Sequence, residues 1–158
     1  MPLFRILSIL AAVAAAVSTA QADEALRDRF IAASERTGEN MLDVIRECAP
    51  DIDTSGIEVE YTPEMTEAAN CVVDTHIERF GRDETEALVE QAEAMAERSF
   101  SSLQEMSTLQ QDYPRLSDPA LVEINQECGT LEASRDLPMN RLMQENMAKM
   151  AACLSGSD

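Results

Sequence analysis

Apolar or small residues recur at every third or fourth position through long stretches of this 158-residue chain, a spacing that commits most of it to helix. Leu26, Phe30, Ala33, Thr37, Met41, Val44 and Cys48 form one stripe over residues 24–48. Gly38 falls inside that stripe, so two shorter helices are the alternative there. Ala49-Pro50 ends the stretch, because proline drives its predecessor out of helical geometry. A loop to Tyr61 follows, with Ile57-Glu58-Val59 as a candidate extended piece.

Thr62-Pro63 then reads as a helix start, a hydroxyl cap followed by proline at the first helical position. The second helix carries Met65, Ala69, Val72, His76 and Phe80 on one face and stops at Gly81. Asp83, with Glu86 three residues later, opens a third helix over 84–108, striped by Leu88, Ala92, Met95, Ser99, Leu103 and Met106. Ser117-Asp118-Pro119 starts a fourth, ending at Gly129, and a fifth runs from about Pro138 to Leu154. No strand pattern competes with these. The expected fold is all-α, a bundle of about five amphipathic helices.

The N-terminus sets the compartment. Arg5 is followed by an unbroken run of apolar and small residues from Ile6 to Val17, then by small residues up to Ala20-Gln21-Ala22. This is the layout of a cleaved secretory signal peptide over residues 1–22, with the cut after Ala22 and Ala20 as the alternative. The apolar run is too short for a membrane span, which needs about 20 residues. The first cysteine is Cys48, too distant to carry a lipid anchor at the cleavage point. Residues 23–158 then form a single helical domain, exported to a periplasm or secreted, with no membrane span of its own.

All 30 acidic residues lie after residue 22, against 11 of the 12 basic ones. Nucleic acid and anionic membranes would repel such a surface. Aromatic residues are scarce, with no tryptophan and two tyrosines, so stacking platforms for bases or sugars are poorly supplied.

Export makes disulfides the default state of Cys48, Cys71, Cys128 and Cys153. Four cysteines allow three connectivities. Local pairing, Cys48–Cys71 and Cys128–Cys153, is the preferred one, on condition that the 49–62 and 129–138 segments fold back. No Cys-x-x-Cys pair suggests a redox or zinc site.

Three places could carry chemistry. Asp51, Asp53 and Ser55, with Gly56 at the sixth position, match the opening of a calcium-binding EF-hand loop. The match then fails, because Thr62 stands where the closing glutamate belongs; a metal-free Asp/Ser/Gly turn is the simpler reading. Met139, Met143, Met147 and Met150 fall in one narrow sector of the last helix. Their thioethers suit Cu(I), and they equally suit an adaptable core seam beside Leu142 and Leu154. His76, the only histidine, sits on the apolar face of the second helix, where one hydrogen bond would satisfy it.

No Gly-rich phosphate loop and no Ser-His-Asp or Cys-His set is discernible, and no cofactor is implied. The expected role is therefore non-catalytic: an exported acidic helical protein that binds another envelope protein or a small ligand. The alternative is a carrier of metal or small ligand, with Cu(I) on the Met139–Met150 face or Ca²⁺ in the Asp51–Gly56 loop.

Overall fold

The computed structural model of the chain describes the backbone of residues 3–154 apart from 103, 106, 107, 109 and 136. Side chains are described from 20 to 150, those five and residue 110 aside. Described residues form seven α-helices, α1 (Leu3–Cys48), α2 (Pro63–Phe80), α3 (Arg82–Ala96), α4 (Pro119–Glu127), α5 (Thr130–Ser134), α6 (Pro138–Glu145) and α7 (Met147–Leu154), with a 3-10 turn at Gln110–Asp112. No strand occurs among them. The fold is all-α.

Its centre is a trio. α1 packs most extensively on α3 and also on α2, and α2 packs on α3. Buried apolar side chains drive this, each worth about 1.5–3 kcal/mol. Leu26, Val73 and Val89 close one layer, and Val72, Leu88, Leu121 and Ile124 close the next. Ala33, Ala92 and Ala96 bring α1 and α3 together, and Phe30 packs against all three groups.

Ion pairs mark the directions of the helices. Arg27 meets Asp74 at 2.7 Å, Arg29 clasps both oxygens of Glu93, and Arg82 reaches Asp23 at 2.9 Å. α3 therefore runs parallel to α1, and α2 runs antiparallel to both. Val72 and Val73 are adjacent and both fully buried, because α2 has neighbours on two sides: α1 and α3 on one, α4 and α5 on the other.

Gly38 does not divide α1. An added Cβ there would lie 3.6 Å from Val59, so the residue gives the returning loop room while the helix continues. The 49–62 segment turns at Gly56 (φ +80°) and runs back along α1. Ile52 is buried, Ile57 and Val59 pack beside it, and the Tyr61 amide donates to Glu35 at 2.8 Å. No strand forms at 57–59. Thr62 caps α2 through the Met65 amide, with Pro63 at the first helical position, as its sequence predicts.

α3 ends at Ala96, well short of the expected 108. Asn40 of α1 donates to the carbonyls of Ala96 and Arg98 and so takes up acceptors that a longer helix would need. Phe100 then drops into a second core with Leu42, Val44, Ile45, Ala49, Ile52, Leu142 and Met150. Gly81, not Asp83, occupies the N-cap of α3, and Asp83 lies inside the first turn. α4 begins as expected: Asp118 accepts from the Ala120 amide at 2.8 Å, ahead of Pro119. The expected fifth helix is two helices, because Asn146 turns its backbone (φ −113°, ψ 17°) and its side chain donates back to the Leu142 carbonyl.

The cysteines pair differently from the local scheme. Cys71 is bonded to Cys128 across a sequence separation of 57, joining α2 to the end of α4. Helix direction explains the correction. Arg27 holds Asp74, so Cys71 sits roughly 25 Å along α1 from Cys48. A disulfide needs Cα atoms about 5.5 Å apart; those of Cys71 and Cys128 are 5.7 Å apart. Cys48 is also disulfide-bonded. The side chain of Cys153 lies outside the described residues, as do those of residues 1–19, Leu103, Met106 and Leu154.

Candidate functional site

A small cleft opens where α2 hands over to α3. Gly81 holds φ at +86°, a left-handed value that a side chain would strain, and this lets α3 leave directly after Phe80. Four residues on, the hydroxyl of fully buried Thr85 donates to the Gly81 carbonyl at 2.9 Å. His76 Nδ1 lies 2.8 Å from the same Thr85 oxygen. Since the hydroxyl proton is spent on Gly81, Thr85 can only accept from His76. Nδ1 therefore carries the proton, and the neutral ring keeps a lone pair on Nε2.

That lone pair is open. Every buried side-chain nitrogen or oxygen among the described residues has a hydrogen-bond partner, and Nε2 has none, so it reaches solvent. His76, Phe80, Glu84, Arg115, Asp118, Ala120 and Leu121 line the cleft, whose volume is about 160 Å³. Pockets that enclose whole drug-sized ligands are larger, about 300–1,000 Å³. This one fits a single side chain or a small head group.

The electrostatics keep the imidazole neutral. Burial lowers the His76 pKa from its ordinary value and Arg115 pushes the same way, while Glu84 and Asp118 oppose them. The Phe80 ring stands 4.8 Å from the imidazole at a tilt of 49° and remains 46 % exposed. Arg115 places Nε and Nη2 on one oxygen of Glu84, at 3.2 and 3.0 Å, and its amide donates to Gln91. One oxygen of Asp118 serves the Ala120 amide.

His76 was expected to lie in the core, satisfied by one hydrogen bond. The hydrogen bond exists, but the residue is half-buried at a cleft rather than enclosed. Helical periodicity does not mark its neighbours Thr85, Glu84 and Arg115. Thr85 four residues after Gly81 was a usable signal, since a threonine there returns its hydroxyl to the turn. Arg115 comes from a connection with no periodicity and left none.

Asp51, Asp53 and Ser55 are exposed. Asp53 Oδ1 accepts from both the amide and the hydroxyl of Ser55, at 2.9 and 2.6 Å, which closes an Asx turn and lowers the Asp53 pKa. Among the described residues no three His, Cys, Asp or Glu side chains gather as a metal site. The methionines do not share one face. Met139, Met143 and Met150 pack on the second core, while Met147 is 67 % exposed beyond the break at Asn146.

Comparison with protein-family models, curated proteins and solved structures found no match for this chain.

Proposed function

We propose that this chain is an exported, non-catalytic binding protein of the periplasm or cell envelope, and that the His76 cleft is its receptor site. The observation that carries the reading is how the cleft's polar groups are spent. His76 Nδ1 is held by Thr85, Glu84 by Arg115, and one Asp118 oxygen by the α4 amide. Each is fixed in place by one contact and retains one free acceptor. Such an arrangement recognises a partner; the hydroxyl beside the histidine, that of Thr85, is fully buried and donates its proton to the Gly81 carbonyl rather than to the ring.

The leader over residues 1–22 supports export, and the Cys71–Cys128 bond suits an oxidising compartment. The strongly acidic chain favours a cationic or neutral partner over nucleic acid.

Native mass spectrometry of the unreduced protein from its own compartment tests this. The expected species begins at Asp23, carries its cysteines oxidised and retains a partner or small ligand. Turnover of a substrate that is abolished in His76→Ala would overturn the reading. So would a mature mass that retains residues 1–22.

A further inference from the structure

The cleft's free atoms have one chemistry in common. His76 Nε2, the second oxygen of Asp118 and the second oxygen of Glu84 are acceptors, and the exposed Phe80 ring offers a negative face. The positive charge is already matched and part of the donor set is spent: Arg115 places Nε and Nη2 on Glu84, and Asp118 takes the Ala120 amide at the N-terminus of α4. An anion would meet two carboxylates and a lone pair. A primary ammonium brings three N–H donors and a compact charge to three acceptors and a ring. About 160 Å³ is room for that head group and part of its stem.

Resting on the binding role above, we infer that the cleft takes a primary ammonium group, either a lysine side chain of a partner protein or a free polyamine. His76 Nε2 accepts one ammonium hydrogen, the second oxygen of Glu84 accepts another, Asp118 supplies the counter-charge, and Phe80 covers the stem. The site is consequently sensitive to acid. Protonation turns Nε2 into a donor and adds a positive charge, so proton and ligand compete for one atom. The charged groups around that ring are Glu84 from α3, Arg115 from the connection, and Asp118 at the start of α4.

The single histidine makes the test direct. The mature, disulfide-intact protein is titrated with N-acetyl-lysine methylamide and, separately, with spermidine, while the ring nitrogens of His76 are followed by NMR. N-acetyl-norleucine methylamide and inorganic phosphate serve as controls. A saturable shift of Nε2 with an amine is expected, together with an apparent His76 pKa that falls as ligand is added and binding that weakens from pH 7.5 to 5.5. A shift with the lysine analogue alone assigns a partner's lysine, one with spermidine alone assigns a polyamine, and both together assign the shared ammonium. Phe80→Leu, at an exposed position, should weaken binding roughly two- to five-fold without unfolding the protein. No saturable shift with either amine overturns the inference. So does an equal shift with the norleucine control. A shift with phosphate alone also overturns it while leaving a binding role for the cleft intact; only His76-dependent turnover removes that role.

Discussion

His76 Nδ1 and Thr85 Oγ1 lie 2.8 Å apart, and the threonine's own proton goes to the carbonyl of Gly81. One buried hydroxyl thus ties the end of α2, the turn and the first turn of α3, and it determines which imidazole nitrogen faces the cleft.

Replacing that hydroxyl should cost stability out of proportion to its size. Thr85→Val keeps the shape of the side chain but leaves Nδ1 without its acceptor. A loss of about 1–3 kcal/mol is expected in denaturant unfolding, the range for stranding one buried polar group. A loss below a few tenths of a kcal/mol would mean that water replaces the hydroxyl freely.

Stability should also fall on mild acidification. Burial places the folded-state pKa of His76 below the unfolded value of about 6.5. Between those two values the unfolded chain binds more protons, so stability rises with pH in that window. The contribution is complete above about 6.5 and is lost as pH falls through the folded-state pKa. His76→Phe should flatten that part of the profile; an unchanged slope in this variant would assign the effect elsewhere.

Non-reducing peptide mapping should recover Cys71 linked to Cys128. Removing that bond as Cys71→Ala with Cys128→Ala should cost about 2–4 kcal/mol, because it closes a long loop in the unfolded chain. Recovery of Cys48 with Cys71 would contradict the antiparallel course of α2 along α1.

The methionines separate by burial. Met150→Ala should destabilise the second core by about 2–4 kcal/mol, whereas Met147→Ala should stay within about 0.5 kcal/mol. Equal effects in chemical denaturation would mean that α6 and α7 pack as one helix.

Local signals were the legible part of the fold. Thr62-Pro63, Gly81 and Asp118-Pro119 punctuate the helices where their chemistry requires. What the sequence concealed is long-range. α3 stops at Ala96 because Asn40, 56 residues away, takes its carbonyl. Gly38 interrupts nothing because the space it leaves admits Val59, and that contact exists only once the 49–62 segment has folded back. Cys71 lies off the apolar stripe that the sequence assigns to α2, yet α4 packs on that helix as well and brings Cys128 to it. Of the cleft, His76 and the Gly81–Thr85 spacing carry a sequence signal; Glu84 and Arg115 meet them through a turn and a connection whose paths periodicity does not report.

The chemistry of the cleft turns on the state of one imidazole. A long-range ¹H–¹⁵N spectrum of the oxidised protein at pH 7.5 reads it without ambiguity, because His76 is the only histidine. The predicted result is a neutral ring protonated at Nδ1, with Nε2 bare and a pKa below about 6.5. A ring protonated at Nε2, or a pKa at or above that value, would contradict it.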